Sequence, residues 1–266
     1  MLQLIQQIIL LLGVTTGAIT DAKTGYIYDW ITMPMIICGI ILSILQMQWI
    51  NLIAGAVVFV LLYATYKLGK LGGGDVKLFA AIALLNPYND YFFLVTVLFF
   101  AAMGAMVFYS IYYFIKYARI GINLKENKKG IQKALLFAII IFVYFGTMVW
   151  KNFITLNVAE LIIIPIIFGL IFVALQEGIK KNFFEKKIVL KDLEEDEVVA
   201  QGRNTSKILL LLKGKQLLGE KEIQLLKKHK ITSVYVLRGL PPFGPFILFG
   251  IIMALTQVDF LSTLFM

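Results

Sequence analysis

The sequence holds one histidine and one cysteine, and only 15% of its 266 residues are charged. Each shortage excludes something. The single histidine, His229, stands in the polar stretch GEKEIQLLKKHK, far along the chain from the long apolar runs. It reads as a solvated helix residue, so a Ser–His nucleophile within those runs is excluded. There is no HExxH, which removes the usual helix-borne zinc hydrolase. There is no CxxC pair, which removes a zinc knuckle. No P-loop occurs, and no GxGxxG follows a strand pattern. Cys38 lies inside an apolar run and reads as packing, since a lone cysteine forms neither an intrachain disulfide nor a multi-cysteine metal site.

What is present instead is apolar. Hydrophobic residues make up 60% of the chain. A soluble domain of this size has too little interior to bury that much apolar surface. Charged residues fall well below the roughly one quarter usual in soluble domains. The class is integral membrane protein. Candidate spans, taken as apolar runs approaching ~20 residues, fall at 2–20, 31–46, 51–68, 75–86, 91–115, 134–150, 159–178 and 244–263. The fourth is short and is broken by Asn86-Pro87. The first lacks a basic n-region, so it reads as a retained helix rather than a signal peptide.

Loop charge sets an orientation. With 21–30 in the cytoplasm and strict alternation from there, the inner segments are 21–30, 67–77, 116–133 and 179–240. They hold every Lys and Arg except Lys151. Positive charge is retained on the cytoplasmic side, so the net charge of +9 is explained by topology and implies no nucleic-acid partner. Both termini are then expected outside. Counting 75–86 as a full crossing is part of this pattern, because omitting it would turn the 116–133 loop outward.

Residues 183–238 form one polar island. Lys187–Leu190, Val198–Ala200 and Ile231–Leu237 read as strands, the last by alternation. Asp192 to Glu197 reads as an acidic turn. Gly219 to Lys230 reads as a short amphipathic helix with acid first and base last, as the helix dipole favours. The expected fold is an all-α polytopic membrane bundle of about eight transmembrane helices, the fourth short, with a small cytoplasmic α+β domain. The expected division is a transmembrane core at 1–180, the soluble domain at 181–240 and a C-terminal transmembrane helix at 241–266.

Carboxylates are the chemistry that remains. Glu160 and Asp259 map near outer helix ends, Glu177 near an inner end and Asp90 in an outer loop, all positions where acids are ordinarily solvated. Asp21 and Asp75 differ. Asp21 ends the first apolar run, and Asp75 follows three glycines and opens the fourth. A carboxylate at membrane depth is costly and usually marks function. The bland alternative keeps Asp21 as an interfacial anchor paired with Lys23 or Lys77, and Asp75 as a helix cap. Gly72-Gly73-Gly74 favour the functional side, because a bare backbone lets an extended substrate approach closely. Two carboxylates sharing one proton can activate water and protonate a leaving nitrogen with no metal or cofactor.

At these residues the sequence resembles a known family. Gly72-Gly73-Gly74-Asp75 reads as the GxGD motif of the membrane aspartyl peptidases. Asp21-Ala22-Lys23-Thr24-Gly25-Tyr26-Ile27-Tyr28-Asp29-Trp30 looks like their first aspartate motif, with Tyr28-Asp29 where the common pattern has Pro-Asn. Together they resemble the archaeal branch of the type IV prepilin and preflagellin (prearchaellin) peptidases over most of residues 1–120. The segment from Gly239 to Phe246 and the last span are similar to the C-terminal part of archaeal members. Its prolines are read either as part of the site or as a rigid helix start. The cysteine-rich domain of many bacterial relatives is absent, so no N-methyltransferase activity is implied.

The resemblance implies an aspartic endopeptidase that removes short leader peptides from pilin-like or archaellin precursors at the cytoplasmic face of the cell membrane. It implies Asp21 and Asp75 as the catalytic pair. Gly72 and Gly74 are expected to make room for the substrate backbone, and Lys23 and Lys77 to keep their ammonium groups toward water. No cofactor or metal is expected. Partners are the precursors and membrane lipid. Which aspartate is base and which is acid stays open, because a coupled pair titrates as a unit. Two other classes fit the composition: an ion-coupled transporter, for which the acids lie at one face rather than the midplane, and a non-enzymatic membrane assembly protein working through the 183–238 island.

Overall fold

The computed structural model describes residues 1–256 other than 70, 91, 154–155, 196, 201, 214 and 230, and no side chain at 156–158, 160, 161 or 207. Helices dominate: α1 (Leu2–Thr24), α2 (Asp29–Leu45), α3 (Trp49–Lys67), α4 (Gly73–Leu84), α5 (Phe92–Ile120), α6 (Lys128–Trp150) and α7 (Leu156–Ile179). A π turn (Lys180–Phe184) leads into β1 (Glu185–Val189), β2 (Val198–Val199), α8 (Ser206–Leu211), α9 (Glu220–Lys228), β3 (Ser233–Leu237) and α10 (Gly244–Leu255). Five segments are long and apolar enough to cross a membrane: 2–24, 49–67, 92–120, 128–150 and 162–184. The apolar α2 and α10 are shorter. The chain is a multi-pass membrane protein. The expected last span, 244–263, runs past the described residues, and so does Asp259.

The chain divides into two compact units, residues 1–90 with 181–244 and residues 91–180 with 245–266. In the first, α4 is the innermost element. Its 12 residues rise about 18 Å, short of a hydrocarbon core of roughly 30 Å. Protein covers it: Val76 and every residue from Leu78 to Leu85 are buried. Glycines on α2 and α3 allow that enclosure. A Cβ on Gly39 would stand 2.7 Å from Leu84 Cβ, and one on Gly55 would press into the same leucine. This burial on all sides is why α4 can be short, since it never has to match the lipid by itself.

One end of this helix group is tied by amides. Gln6, Gln48, Asn51 and Asn86 are all buried. Gln6 Nε2 donates to Gln48 Oε1 at 2.8 Å. Asn51 Nδ2 donates to the same oxygen at 2.9 Å and to the Asn86 carbonyl at 2.8 Å. α1, α3 and the end of α4 are thereby linked through neutral groups, which a low-dielectric interior tolerates when they are paired.

The polar island is a three-stranded antiparallel sheet in the order β1-β3-β2. Glu185 lies opposite Leu237 and Val189 opposite Ser233. Val199 lies opposite Val236. The alternation of β3 points Val234 and Val236 inward, as a period of two requires, onto Leu212, Leu218 and Leu226. The expected strands and the amphipathic helix are all found, with α9 ending at Lys228 and Lys230 outside the described residues. The helix α8, built from SKILLL, is an addition. At the start of α9, Glu222 accepts the Gly219 N–H at 3.2 Å and pairs with Lys215 at 2.6 Å. The lysine and the capping N–H hold its carboxyl below its ordinary range.

In the second unit, α5, α6 and α7 pack closely through small residues. A Cβ on Gly130 of α6 would lie 2.7 Å from the carbonyl oxygens of Val173 and Ala174 on α7. Asn127 joins the same elements, accepting the Gly178 N–H at 2.9 Å and donating to the Tyr117 hydroxyl at 3.0 Å. The outer face of α6 is bare, with Leu135, Leu136, Ile139, Ile140, Phe142 and Val143 exposed. In water such a stripe would be a liability. Against lipid it is the expected surface.

Candidate active site

α1 carries Asp21 on its last turn and then stops. Gly25 takes the left-handed conformation, φ 74, and its N–H bonds back to the Asp21 carbonyl at 2.8 Å. Glycine is the residue that adopts this cap without strain. The chain then turns and Ile27 folds back between helices. Its Cγ2 lies 3.8 Å from where a Cβ on Gly17 of α1 would be. Its carbonyl oxygen and Cβ lie 2.5 and 2.9 Å from the corresponding point on Gly74 of α4. Gly74 is the glycine that admits this isoleucine, since a Cβ at Gly17 would meet it only at ordinary van der Waals distance, and the wedge sets the approach of the α1 C-terminus to the α4 N-terminus.

Asp75 is the third residue of α4. A Cβ on Gly72 would sit 2.9 Å from Asp75 Oδ2, so the carboxylate occupies the space that glycine vacates. The Gly73 backbone faces the ring of Tyr66, at 3.5 Å from the position of a Cβ. The Asp21 and Asp75 carboxyl groups lie within electrostatic reach of each other. Asp21 is buried, with 7% of its surface exposed. Asp75 is half-buried, and the two acids sit at helix ends, Asp21 on the last turn of α1 and Asp75 on the first turn of α4.

Neither acid is neutralised by a lysine among the described residues. Lys77 pairs with Asp29 at 2.6 Å, and Lys23 is exposed on the last turn of α1. The anchor pairing of Asp21 with Lys23 or Lys77 is not formed. Asp29 is the first residue of α2 and the partner of Lys77. Asp21 Oδ2 instead accepts the backbone N–H of Gly244 at 2.7 Å. That residue opens α10, and the preceding Phe243 ring meets Phe79 of α4 at 6.4 Å between centroids. Gly244 is the site residue that sequence reasoning missed. The only signal was a glycine set between Phe243 and Pro245, which names no function for a main-chain donor.

Among the described residues no three His, Cys, Asp or Glu side chains gather as they would around a metal. Asp90 sits apart from the pair, in the loop after α4, where its carbonyl accepts Asn86 Nδ2 at 2.7 Å. The arrangement offers one buried and one half-buried carboxyl group within electrostatic reach, with a glycine backbone beside one of them. That is equipment for moving a proton to and from a bound water and a leaving group.

Residues 8–111, a stretch that contains both carboxylates, match the type IV leader peptidase family. No curated protein and no solved structure matches the chain.

Proposed function

We propose that the chain is an aspartic-type prepilin peptidase, as the match of residues 8–111 supports, and that it cuts with Asp21 and Asp75 on the cytoplasmic side of the membrane. The observation that carries the reading is the pair itself: two buried-end carboxyl groups in electrostatic reach, both inside the matched stretch. Between them they share one proton. The ionised member takes a proton from water as the water oxygen attacks the scissile carbonyl. The protonated member polarises that carbonyl. Collapse of the tetrahedral intermediate breaks the C–N bond, and the proton first taken from water passes to the leaving nitrogen.

A peptide is cut only when extended, because helical hydrogen bonding hides its carbonyls. Gly72 leaves a bare backbone beside the Asp75 carboxylate for an extended substrate to approach, whereas the space at Gly74 is taken by Ile27, so Gly74 serves the packing of the site rather than substrate room. The substrates are precursors that carry a short leader ahead of an apolar segment, pilin-like or archaellin in kind, and the motif order favours the archaeal branch. The cytoplasmic placement rests on the distribution of Lys and Arg. With 21–30 inside, all eight apolar helices count as crossings and the sheet faces the cytoplasm.

The test is to reconstitute the full chain with a prepilin-like precursor and compare wild type with Asp21→Asn and Asp75→Asn. Cleavage is expected to vanish in both. If either variant cleaves at the wild-type rate, the pair is not the catalytic centre.

A further inference from the structure

We infer that Gly244 is a positioning residue of the reaction: its backbone N–H holds one oxygen of Asp21 and so fixes the direction of that carboxyl group. The inference rests on the reading of Asp21 as catalytic. Asp21 Oδ2 is taken by the Gly244 N–H at 2.7 Å in a buried setting. A carboxylate with one oxygen bound to a main-chain donor cannot rotate freely about χ2. The Phe243 N–H, the preceding main-chain donor, also bears on this carboxyl group, so the strap approaches Asp21 with two successive N–H groups.

Three features keep the donor in place. There is no room for a side chain at 244, since a Cβ would stand 3.0 Å from the Ala18 Cα and 3.1 Å from the Asp21 Cβ. The main chain of residue 244 thus lies directly on α1, one turn before the acid. The strap that delivers it is stiff: Gly239 turns the chain out of β3 with φ 69, and Pro241 and Pro242 restrict their own φ and the residues before them. Phe243 then seats against Phe79 on α4, four residues after Asp75. Six residues, 239–244, therefore touch both helices that carry a carboxyl group. The main-chain donor to α1 and the ring on α4 are adjacent residues, so the spacing of the two acids and the direction of one of them are set by the same short piece.

The donor can be removed without adding atoms. Glycolic acid placed at position 244 by nonsense suppression in the full chain replaces the N–H with an ester oxygen and brings no side chain. We expect kcat on a prepilin-like precursor to fall about tenfold or more, KM to stay within about twofold, and the pH–rate profile to shift. The melting temperature is expected to fall by only a few degrees, as for the loss of one buried hydrogen bond. Gly244→Ala, which keeps the N–H but displaces it, is expected to lose kcat and melting temperature together. An ester variant with wild-type kcat and an unmoved pH profile overturns the inference even if Asp21→Asn is inactive. Wild-type cleavage by Asp21→Asn overturns the catalytic reading instead, so the two failures are told apart.

Discussion

The two ends of the α1–α4 pair bury polar groups in opposite ways. At one end Gln6, Gln48, Asn51 and Asn86 are neutral amides that pair with each other and with main chain. At the other end Asp21 and Asp75 are acids that cannot donate to each other when ionised and have no lysine beside them among the described residues. Gln6 and Asp21 lie on one helix, about 22 Å apart along its axis. The amide end costs less, because its groups are neutral and its amide N–H donors trade water bonds for protein bonds, although Gln6 Oε1 and Asn51 Oδ1 are buried without a partner among the described residues. The acidic end is expensive. A chain keeps an expensive buried arrangement where chemistry needs it. The amide end holds the helices, and the acidic end uses the geometry that the amide end secures.

The contrast yields predictions of falling size. The double variant Asp21→Asn with Asp75→Asn is expected to be no worse than either single change, each costing about 10³-fold or more in kcat, because groups acting as one unit are not additive. Rates for all three in proteoliposomes test this, and a further large loss in the double variant would separate the two roles. Gly74→Ala drives a Cβ onto the Ile27 carbonyl. Overpacking of this kind costs ~1–3 kcal/mol, and since the wedge spaces the acids, cleavage is expected to fall about tenfold along with the melting temperature.

At the opposite end the pattern inverts. Asn51→Leu leaves Gln48 Oε1 and the Asn86 carbonyl short of a donor and is expected to cost ~1–3 kcal/mol of stability. Its kcat well below the melting temperature is expected to match wild type. A kcat loss without a stability loss would mean that the amide end takes part in catalysis directly. Asp29→Asn removes the partner of Lys77, but the aspartate is 63% exposed. Solvent screening limits the stability effect to within about 1 kcal/mol, read as a small change in melting temperature.

The smallest effect concerns an acid that is paired in the ordinary way. Glu222, held by Lys215 and the Gly219 N–H, has its folded-state pKa below the ordinary 4.5. Its stabilising contribution is therefore present above that value and lost as pH falls through the folded-state pKa. Glu222→Gln is expected to lower the melting temperature slightly at neutral pH and to leave it unchanged in strongly acidic buffer.

Much of this was legible in the sequence because it is local. Apolar runs announce helices, and the alternation of Ser233–Leu237 announces a strand. Three glycines before Asp75 at the start of an apolar run announce a carboxylate with room around it. What was not legible depends on partners far apart in the chain. The Gly244 N–H is carried by every non-proline residue and is informative only once it lies on Asp21, 223 positions away. Gln6, Gln48 and Asn51 look like scattered polar residues until folding places them together. Ile27 looks like one more apolar residue, and only its close approach to Gly74 reveals it as a spacer. The Asp29–Lys77 pair spans 48 positions. SKILLL is too short a run to choose helix over loop by its periodicity.

The bond from Gly244 to Asp21 also has a consequence for biogenesis. The donor that orients Asp21 is added 169 residues after Asp75. On the proposed reading of the two acids as the catalytic pair, a nascent chain still short of Gly244 carries both of them with the first one unoriented, and cleavage is deferred until the sheet has been made and the strap has come back to α1.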